Sequence, residues 1–123
     1  MRSLALPAAF ALLSLASAAQ AHPKLVVASP APNATVAKPA RVALQFSEKL
    51  MPKFSGADLM MTGHGGAKHS PMKVAATTQV APDGRTLVVV PKSPLGAGRY
   101  SVAWHVVSAD THRVSGSFAF AVK

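Results

Sequence analysis

The chain has 123 residues, no cysteine, and 13 Lys and Arg against four Asp and Glu, which gives a formal net charge of +9. The lack of cysteine excludes disulfides and any metal site built on thiolates. The basic residues are spread singly with little aromatic interleaving, so we expect no nucleic-acid partner. We interpret the charge as an aid to solubility, with attraction to anionic lipid surfaces or acidic partners as the alternative.

The first 21 residues follow the pattern of a secretory signal peptide. Arg2 provides the charged start, residues 4–16 form an apolar stretch, and residues 19–21 have the small-residue pattern of a cleavage site. The apolar stretch is shorter than the ~20 residues that a membrane-spanning helix requires. We therefore predict export and cleavage after Ala21, which leaves a mature domain of residues 22–123 that begins with His22.

The pattern of residues 22–123 predicts one all-β domain. Short β-rich segments alternate with turns rich in Pro, Gly, Asn and Asp, and no heptads or repeats occur. The predicted strands are residues 24–29, 41–46, 57–62, 72–80, 86–90, 98–107 and 114–122. Seven such strands favour a β-sandwich. The glycine-containing residues 63–71 are expected to form a flexible surface loop.

Alternation within the later strands predicts which side chains face the core. Trp104 shares one face of its strand with Tyr100, Val102 and Val106, so it is predicted to be a core residue. His105 falls on the other face and is interpreted as a surface or packing histidine. The strand at 114–122 does not keep a simple phase, and we expect a bulge or a bend there.

A histidine at the N-terminus of the mature chain offers two nitrogens to one metal ion, its α-amine and its imidazole Nδ1. The next residue, Pro23, has no N–H, so its backbone nitrogen cannot deprotonate and become a further ligand. The other ligands must therefore come from elsewhere in the chain. His22 is predicted to be a chelating metal ligand.

Asp110 and His112 are predicted to complete this site. Residues i and i+2 of an extended segment project to the same side, so these two side chains can share one ion. Together with His22 they form a mixed N/O set that suits tetragonal Cu(II), with zinc as the next candidate. Singly, His22 is explained as an accident of cleavage and Asp110 as a turn residue that caps backbone N–H groups. Their combination in a cysteine-free exported chain favours the metal site.

Several short motifs occur in a recognisable order along the mature chain. They are His22-Pro23-Lys24-Leu25, Phe46-Ser47-Glu48, Phe54-Ser55-Gly56-Ala57, His69-Ser70-Pro71-Met72 and the segment from Trp104 to Gly116. Their order and spacing resemble the CopC family of periplasmic copper-resistance proteins over essentially all of residues 22–123. The resemblance implies a seven-stranded Greek-key β-sandwich or barrel, Ig-like or cupredoxin-like in topology, with Cu(II) bound at one end by His22, Asp110 and His112.

The resemblance also implies a role for Glu48. This residue matches a family acid near the Cu(II) site, where it would orient a ligand or the α-amine without binding the metal itself. The alternative interpretation is a solvated charge at the end of a strand.

Some family members carry a methionine-rich Cu(I) site, and this sequence keeps part of it. Met61, His69 and Met72 match the pattern, whereas His64 and Ala67 occupy two further methionine positions. Thioethers suit Cu(I), so the replacements should weaken or broaden the selectivity of a site formed by Met61, His64, His69 and Met72. In the alternative interpretation, a methionine packs in the core and the histidines are merely solvated.

These features predict a monomeric periplasmic copper carrier or buffer that serves copper resistance and homeostasis. It would bind copper ions and pass them to an inner-membrane transporter of the CopD type. The rival hypothesis is a copper-dependent oxidase or oxygenase, because such enzymes also use an N-terminal histidine. The Asp110 carboxylate argues against it, since a completed equatorial set leaves less room for oxygen. A third hypothesis, a pure protein–protein interaction module, would need none of these metal-binding residues.

Overall fold

Nine β-strands and one short 3-10 turn, Pro52–Phe54, make up the structure, a computed structural model that describes residues 22–123. The strands are β1 Leu25–Ser29, β2 Thr35–Val36, β3 Val42–Phe46, β4 Gly56–His64, β5 Ala67–Lys73, β6 Ala76–Val80, β7 Thr86–Pro91, β8 Gly98–Val107 and β9 Arg113–Val122. The predicted signal peptide, residues 1–21, lies outside the described residues. Within residues 22–123, no helix has the length and apolar character needed to cross a membrane.

The strands form two sheets that pack face to face. One sheet has the order β1-β3-β7-β6 and is antiparallel throughout. The other has the order β2-β9-β8-β4-β5, in which only β2 and β9 run parallel. The chain crosses between the sheets after β1, after β2, after β3, after β5 and after β7. The predicted all-β sandwich is confirmed.

Apolar side chains from both sheets fill the space between them. Val42, Leu44 and Phe46 of β3 are essentially inaccessible to solvent, as are Val102 and Val106 of β8. Burying side chains of this size stabilises the fold by about 1.5–3 kcal/mol each. The core therefore holds the central strands β3 and β8 firmly in place.

Trp104 lies in this core, as predicted. Its ring meets that of Phe46 edge to face, with centroids 5.0 Å apart. Tyr100, Val102 and Val106 share its face and are also buried, while His105 is exposed on the opposite face. The alternation that was read from the sequence of this strand is confirmed.

Of the bulge or bend expected in the strand at 114–122, the bulge is wrong, because β9 pairs with β8 in unbroken register from Arg113 to Val122. Gly116 is the reason that the pattern looked irregular. It lies directly opposite Trp104, and a Cβ atom built on it would come within 2.5 Å of Trp104 Cζ2. The glycine thus faces the core and makes room for the indole.

The expected flexible loop at residues 63–71 is also wrong. Gly65 and Gly66 both have positive φ, which suits a tight turn, and they connect β4 to β5 as a hairpin. Every residue of β5 is exposed, so no apolar alternation marks the strand in the sequence. The predicted strand at 72–80 is accordingly divided between β5 and β6, which belong to different sheets. With the two-residue β2, this raises the strand count from seven to nine.

Candidate metal centre

Pro23 fixes the start of the described chain against one end of the sandwich. Its side chain is fully buried, although His22 and Lys24 on either side are exposed. The N–H of Lys24 donates to Ser47 Oγ at 2.9 Å, and the N–H of Ser47 donates to the Lys24 carbonyl at 2.9 Å. These bonds extend the pairing of β1 and β3, and they hold His22 beside the end of β3.

The segment that contains Asp110 and His112 is the tight connection between β8 and β9. The N–H of Ser108 donates to the His112 carbonyl at 2.9 Å, and the N–H of Thr111 donates to the Ser108 carbonyl at 2.8 Å. Thr111 has φ of 73°, a left-handed conformation that costs a residue with a Cβ roughly 1–2 kcal/mol. The surrounding hydrogen bonds sustain this strained turn. The extended segment predicted for Asp110 and His112 is therefore wrong, because the chain bends at Thr111 between them.

Ser108 orients the Asp110 carboxylate through a hydrogen bond. Its side chain is buried, and its hydroxyl donates a short hydrogen bond to Asp110 Oδ1. This bond is the main cause, and the proximity of His112 a further one, of a pKa of Asp110 below its ordinary value. The carboxylate is therefore held in its charged, ligand-competent form. Ser108 was not among the predicted site residues, although a serine two residues before an aspartate in a turn suggests such a bond.

His112 approaches both of the other predicted Cu(II) ligands. Its Nδ1 lies 3.1 Å from Asp110 Oδ2, and its ring meets the His22 ring edge to face with centroids 4.8 Å apart. This Nδ1 atom is buried and makes no hydrogen bond of good geometry, despite the short distance to the carboxylate. A buried nitrogen of this kind is one that a bound cation would satisfy.

The side chains of His22, Asp110 and His112 are neighbours but do not form a complete ligand shell. Within residues 22–123, no group of three or more His, Asp or Glu side chains is gathered closely enough to hold a metal ion. The predicted set also counts the α-amine of His22, and in the full chain that nitrogen forms the peptide bond to Ala21. The imidazoles, the carboxylate and a freed amine together have the donor chemistry that Cu(II) prefers.

Glu48 lies at the same end of the sandwich. It is half-buried and lines a shallow depression of about 290 Å³ together with Ser108 and Asp110. The adjacent backbone is tied to the β8–β9 connection, because the N–H of Ala109 donates to the Lys49 carbonyl at 2.9 Å. Glu48 is thus close to the candidate ligands.

The residues of the candidate Cu(I) site lie on the β4–β5 hairpin. Met61 and Met72 are directly opposite one another, so their side chains share a face; Met61 packs against the core and Met72 is exposed. His64 lies opposite Ala67 near the turn. His69 instead lines a cleft on the outer face of the sheet, and its Nδ1 is 2.8 Å from the Ser70 carbonyl. The structure thus places the two methionines opposite one another and places His69 in this cleft.

The chain is similar to known proteins along nearly its whole length. The family model described as the CopC domain matches residues 25–123. Copper resistance protein C of Xanthomonas campestris pv. juglandis is 53% identical over 123 residues, which cover 99% of this chain and 97% of the relative. Copper resistance protein C of Pseudomonas syringae pv. tomato is 51% identical over 115 residues, which cover 93% and 91%.

Solved structures agree with the sequence relatives. The crystal structure of PcoC, a methionine-rich copper resistance protein from Escherichia coli, superposes with a TM-score of 0.78 at 47% identity and covers 84% of this chain and all of PcoC. CopC from Methylosinus trichosporium OB3b gives a TM-score of 0.69 at 30% identity, covering 83% and 94%. The chain therefore belongs to the CopC family.

Proposed function

We propose that this protein binds Cu(II) through His22, Asp110 and His112 and acts as a periplasmic carrier or buffer in copper resistance. The membership in a family of copper resistance proteins supports the role and gives no support to the oxidase hypothesis. Copper is the cargo in this proposal. The predicted signal peptide supports export, and delivery by the monomer to a CopD-type inner-membrane transporter would complete the route.

One observation carries the assignment of the ligands. His22 and His112 come from opposite ends of the mature chain, yet their rings are in contact, and Asp110 approaches the same imidazole. Core packing does not explain this meeting, because all three side chains are at least partly exposed. A shared cation explains it, since two imidazoles, a carboxylate and the freed α-amine supply four N/O donors to one ion.

A titration of the cleaved chain, which begins at His22, tests the proposal. We expect one Cu(II) per chain, and His112→Ala and Asp110→Ala should each weaken binding by roughly tenfold or more, which corresponds to about 1.4 kcal/mol. His105→Ala is the matched control, because this exposed histidine lies on the outer face of β8. Unchanged affinity in both ligand variants would remove the Asp-x-His pair from the site.

The same preparation separates the carrier from the enzyme. With copper bound and a reductant present, a carrier consumes no peroxide beyond the background of free copper. Sustained turnover that is lost in His112→Ala would contradict the carrier assignment.

A further inference from the structure

A cleft of about 560 Å³ runs across the outer face of the five-stranded sheet, at the end opposite the candidate metal centre. Ala119 and Ala121 of β9 lie in it, and Arg99 of β8 and Lys68 of β5 contribute the two fixed positive charges. Arg99 starts β8, whereas the turn with Asp110 follows the end of β8, so the two sites are roughly 25 Å apart along the strand. The cleft is a separate feature of the molecule.

Small residues create the space for this cleft and for the Arg99 side chain. Ala119 and Ala121 project little from β9, which leaves room above the sheet. Gly63 of β4 lies opposite Arg99, and the Cβ and Cδ atoms of Arg99 are 3.5 and 3.6 Å from the point that a glycine Cβ would occupy. The aliphatic stem of Arg99 therefore rests across Gly63, which limits the positions open to its guanidinium.

The charge in the cleft is not neutralised by the protein. No acidic residue lines it, and among residues 22–123 neither Lys68 nor Arg99 forms an ion pair. Asp58, which is also on β4, lies 3.6 Å from Lys73 instead. Two cations that share one concave surface create a positive potential that draws anions to it.

Neutral groups around the two cations complete the hydrogen-bonding capacity of the cleft. Asn33, Thr35 and Thr62 line it and offer one amide and two hydroxyl groups as donors. Arg99 brings a planar fork that matches the geometry of carboxylate and phosphate oxygens, and Lys68 brings a compact charge. This combination suits an anion with several oxygens better than a monovalent halide.

We propose that this cleft binds a small polyvalent oxyanion, either a carboxylate or a phosphate compound. Its volume falls within the roughly 300–1,000 Å³ that is typical of small-molecule sites. The proposal goes beyond the proposed Cu(II) binding and does not depend on it, because neither Lys68 nor Arg99 is a proposed Cu(II) ligand. His69, which belongs to the candidate Cu(I) set, also lines the cleft but carries no part of the argument. The copper-free protein should bind the anion.

Calorimetric titration of the copper-free chain with pyrophosphate and with tricarballylate tests the proposal and distinguishes the phosphate from the carboxylate source. We expect saturable binding of one anion per chain with at least one of the two. Lys68→Gln/Arg99→Gln should weaken it by roughly tenfold or more, since two charge-assisted contacts are lost. Arg41→Gln/Lys53→Gln removes the same charge outside the cleft and should change affinity less than about twofold, because exposed distant charges are screened.

Ala119→Glu provides a second test that leaves both cations in place. Ala119 is exposed, so a longer side chain there should not disturb the core, and its carboxylate should occupy the cleft and abolish binding. Equal weakening in the two double variants would overturn the proposal, because the attraction would then come from overall charge. It would also be overturned by no saturable binding of either anion, or by cleft-dependent binding only to phosphatidylglycerol vesicles.

Discussion

The imidazole of His22 meets the imidazole of His112 edge to face, with ring centroids 4.8 Å apart and ring planes at 72°. The contact depends on two independent anchors. Buried Pro23 and the paired backbone of Lys24 and Ser47 fix one ring, and the tight turn after β8 fixes the other. Changes at either anchor, or at the backbone nitrogen of His22, should therefore alter metal binding without altering the core.

Extension by one glycine of the protein that begins at His22 tests the contribution of the α-amine. The extension converts this amine into a peptide nitrogen, which removes one donor from the proposed chelate. We expect Cu(II) affinity to fall by roughly tenfold or more, about 1.4 kcal/mol, in competition with a Cu(II) chelator. Lys53→Ala, which changes an exposed residue, should leave affinity unaltered. Equal Cu(II) affinity of the extended and cleaved chains would show that His22 does not chelate the ion through its α-amine. Asp110 and His112 would then bind Cu(II) together with another ligand.

Ser108→Ala tests whether the buried hydroxyl positions Asp110, a proposed copper ligand. The variant keeps every proposed ligand but removes the hydrogen bond to the carboxylate. We expect Cu(II) affinity to fall by about 10- to 100-fold, as is usual when a partner that orients a ligand is lost. Ser115→Ala, an exposed serine on β9, is the matched control. Unchanged affinity in Ser108→Ala would show that Asp110 needs no such support.

The same variant makes a prediction for pH dependence. In the wild-type protein the Ser108 hydroxyl lowers the pKa of Asp110, so the carboxylate stays charged to a lower pH than an ordinary aspartate. Removal of the hydroxyl should raise this pKa toward its usual value. Because protons compete with copper for the carboxylate, the Asp110 contribution to binding should then be lost at a higher pH as the solution is acidified. Titrations of Cu(II) across acidic pH would reveal the shift.

The core face of β8 was predictable from the sequence, whereas the hairpin beside it was not. Tyr100, Val102 and Trp104 alternate with exposed residues, and this period depends only on one buried face. In β5 both faces are exposed, so no such period exists, and pairing with β4 follows from the turn at Gly65 and Gly66. The alternation of apolar and polar residues therefore could not predict β5, because neither face of this strand is buried.

In the candidate site, likewise, contacts within one short segment could be predicted from the sequence, whereas contacts between distant segments could not. Asp110 and His112 do lie close together, but the extended segment from which the sequence predicted it is a turn at Thr111 that bends the chain between them. The role of Ser108 was missed, because its burial depends on how the segment packs between the sheets. The contact between His22 and His112 likewise requires the complete fold, and the sequence suggested it only through the chemistry of the donors and the family resemblance.

Gly116→Ala tests the packing that keeps β9 regular. The added methyl group would lie within 2.5 Å of the Trp104 ring, which is wedged against Phe46 and cannot move away freely. We expect the free energy of unfolding to fall by about 1–3 kcal/mol, the usual cost of overpacking a core. Gly96→Ala is the control, because no atom lies within 4 Å of the added Cβ there. Urea unfolding followed by Trp104 fluorescence measures both, and equal stability of Gly116→Ala and wild type would refute the tight packing.

Restoration of the two replaced methionines tests the candidate Cu(I) site. His64 and Ala67 lie directly opposite one another on the β4–β5 hairpin, and Met61 and Met72 form another such pair. His64→Met/Ala67→Met would therefore add two thioethers near an existing pair, and thioethers are the donors that Cu(I) prefers. We expect Cu(I) affinity, measured by competition with a Cu(I) chelator, to rise by roughly tenfold or more, while Cu(II) binding stays constant. His105→Met is the control, since it adds a thioether on β8 away from the hairpin. No gain in the double variant, or tight Cu(I) binding that survives replacement of Met61, His64, His69 and Met72 together, would show that the hairpin is not the source of the ligands.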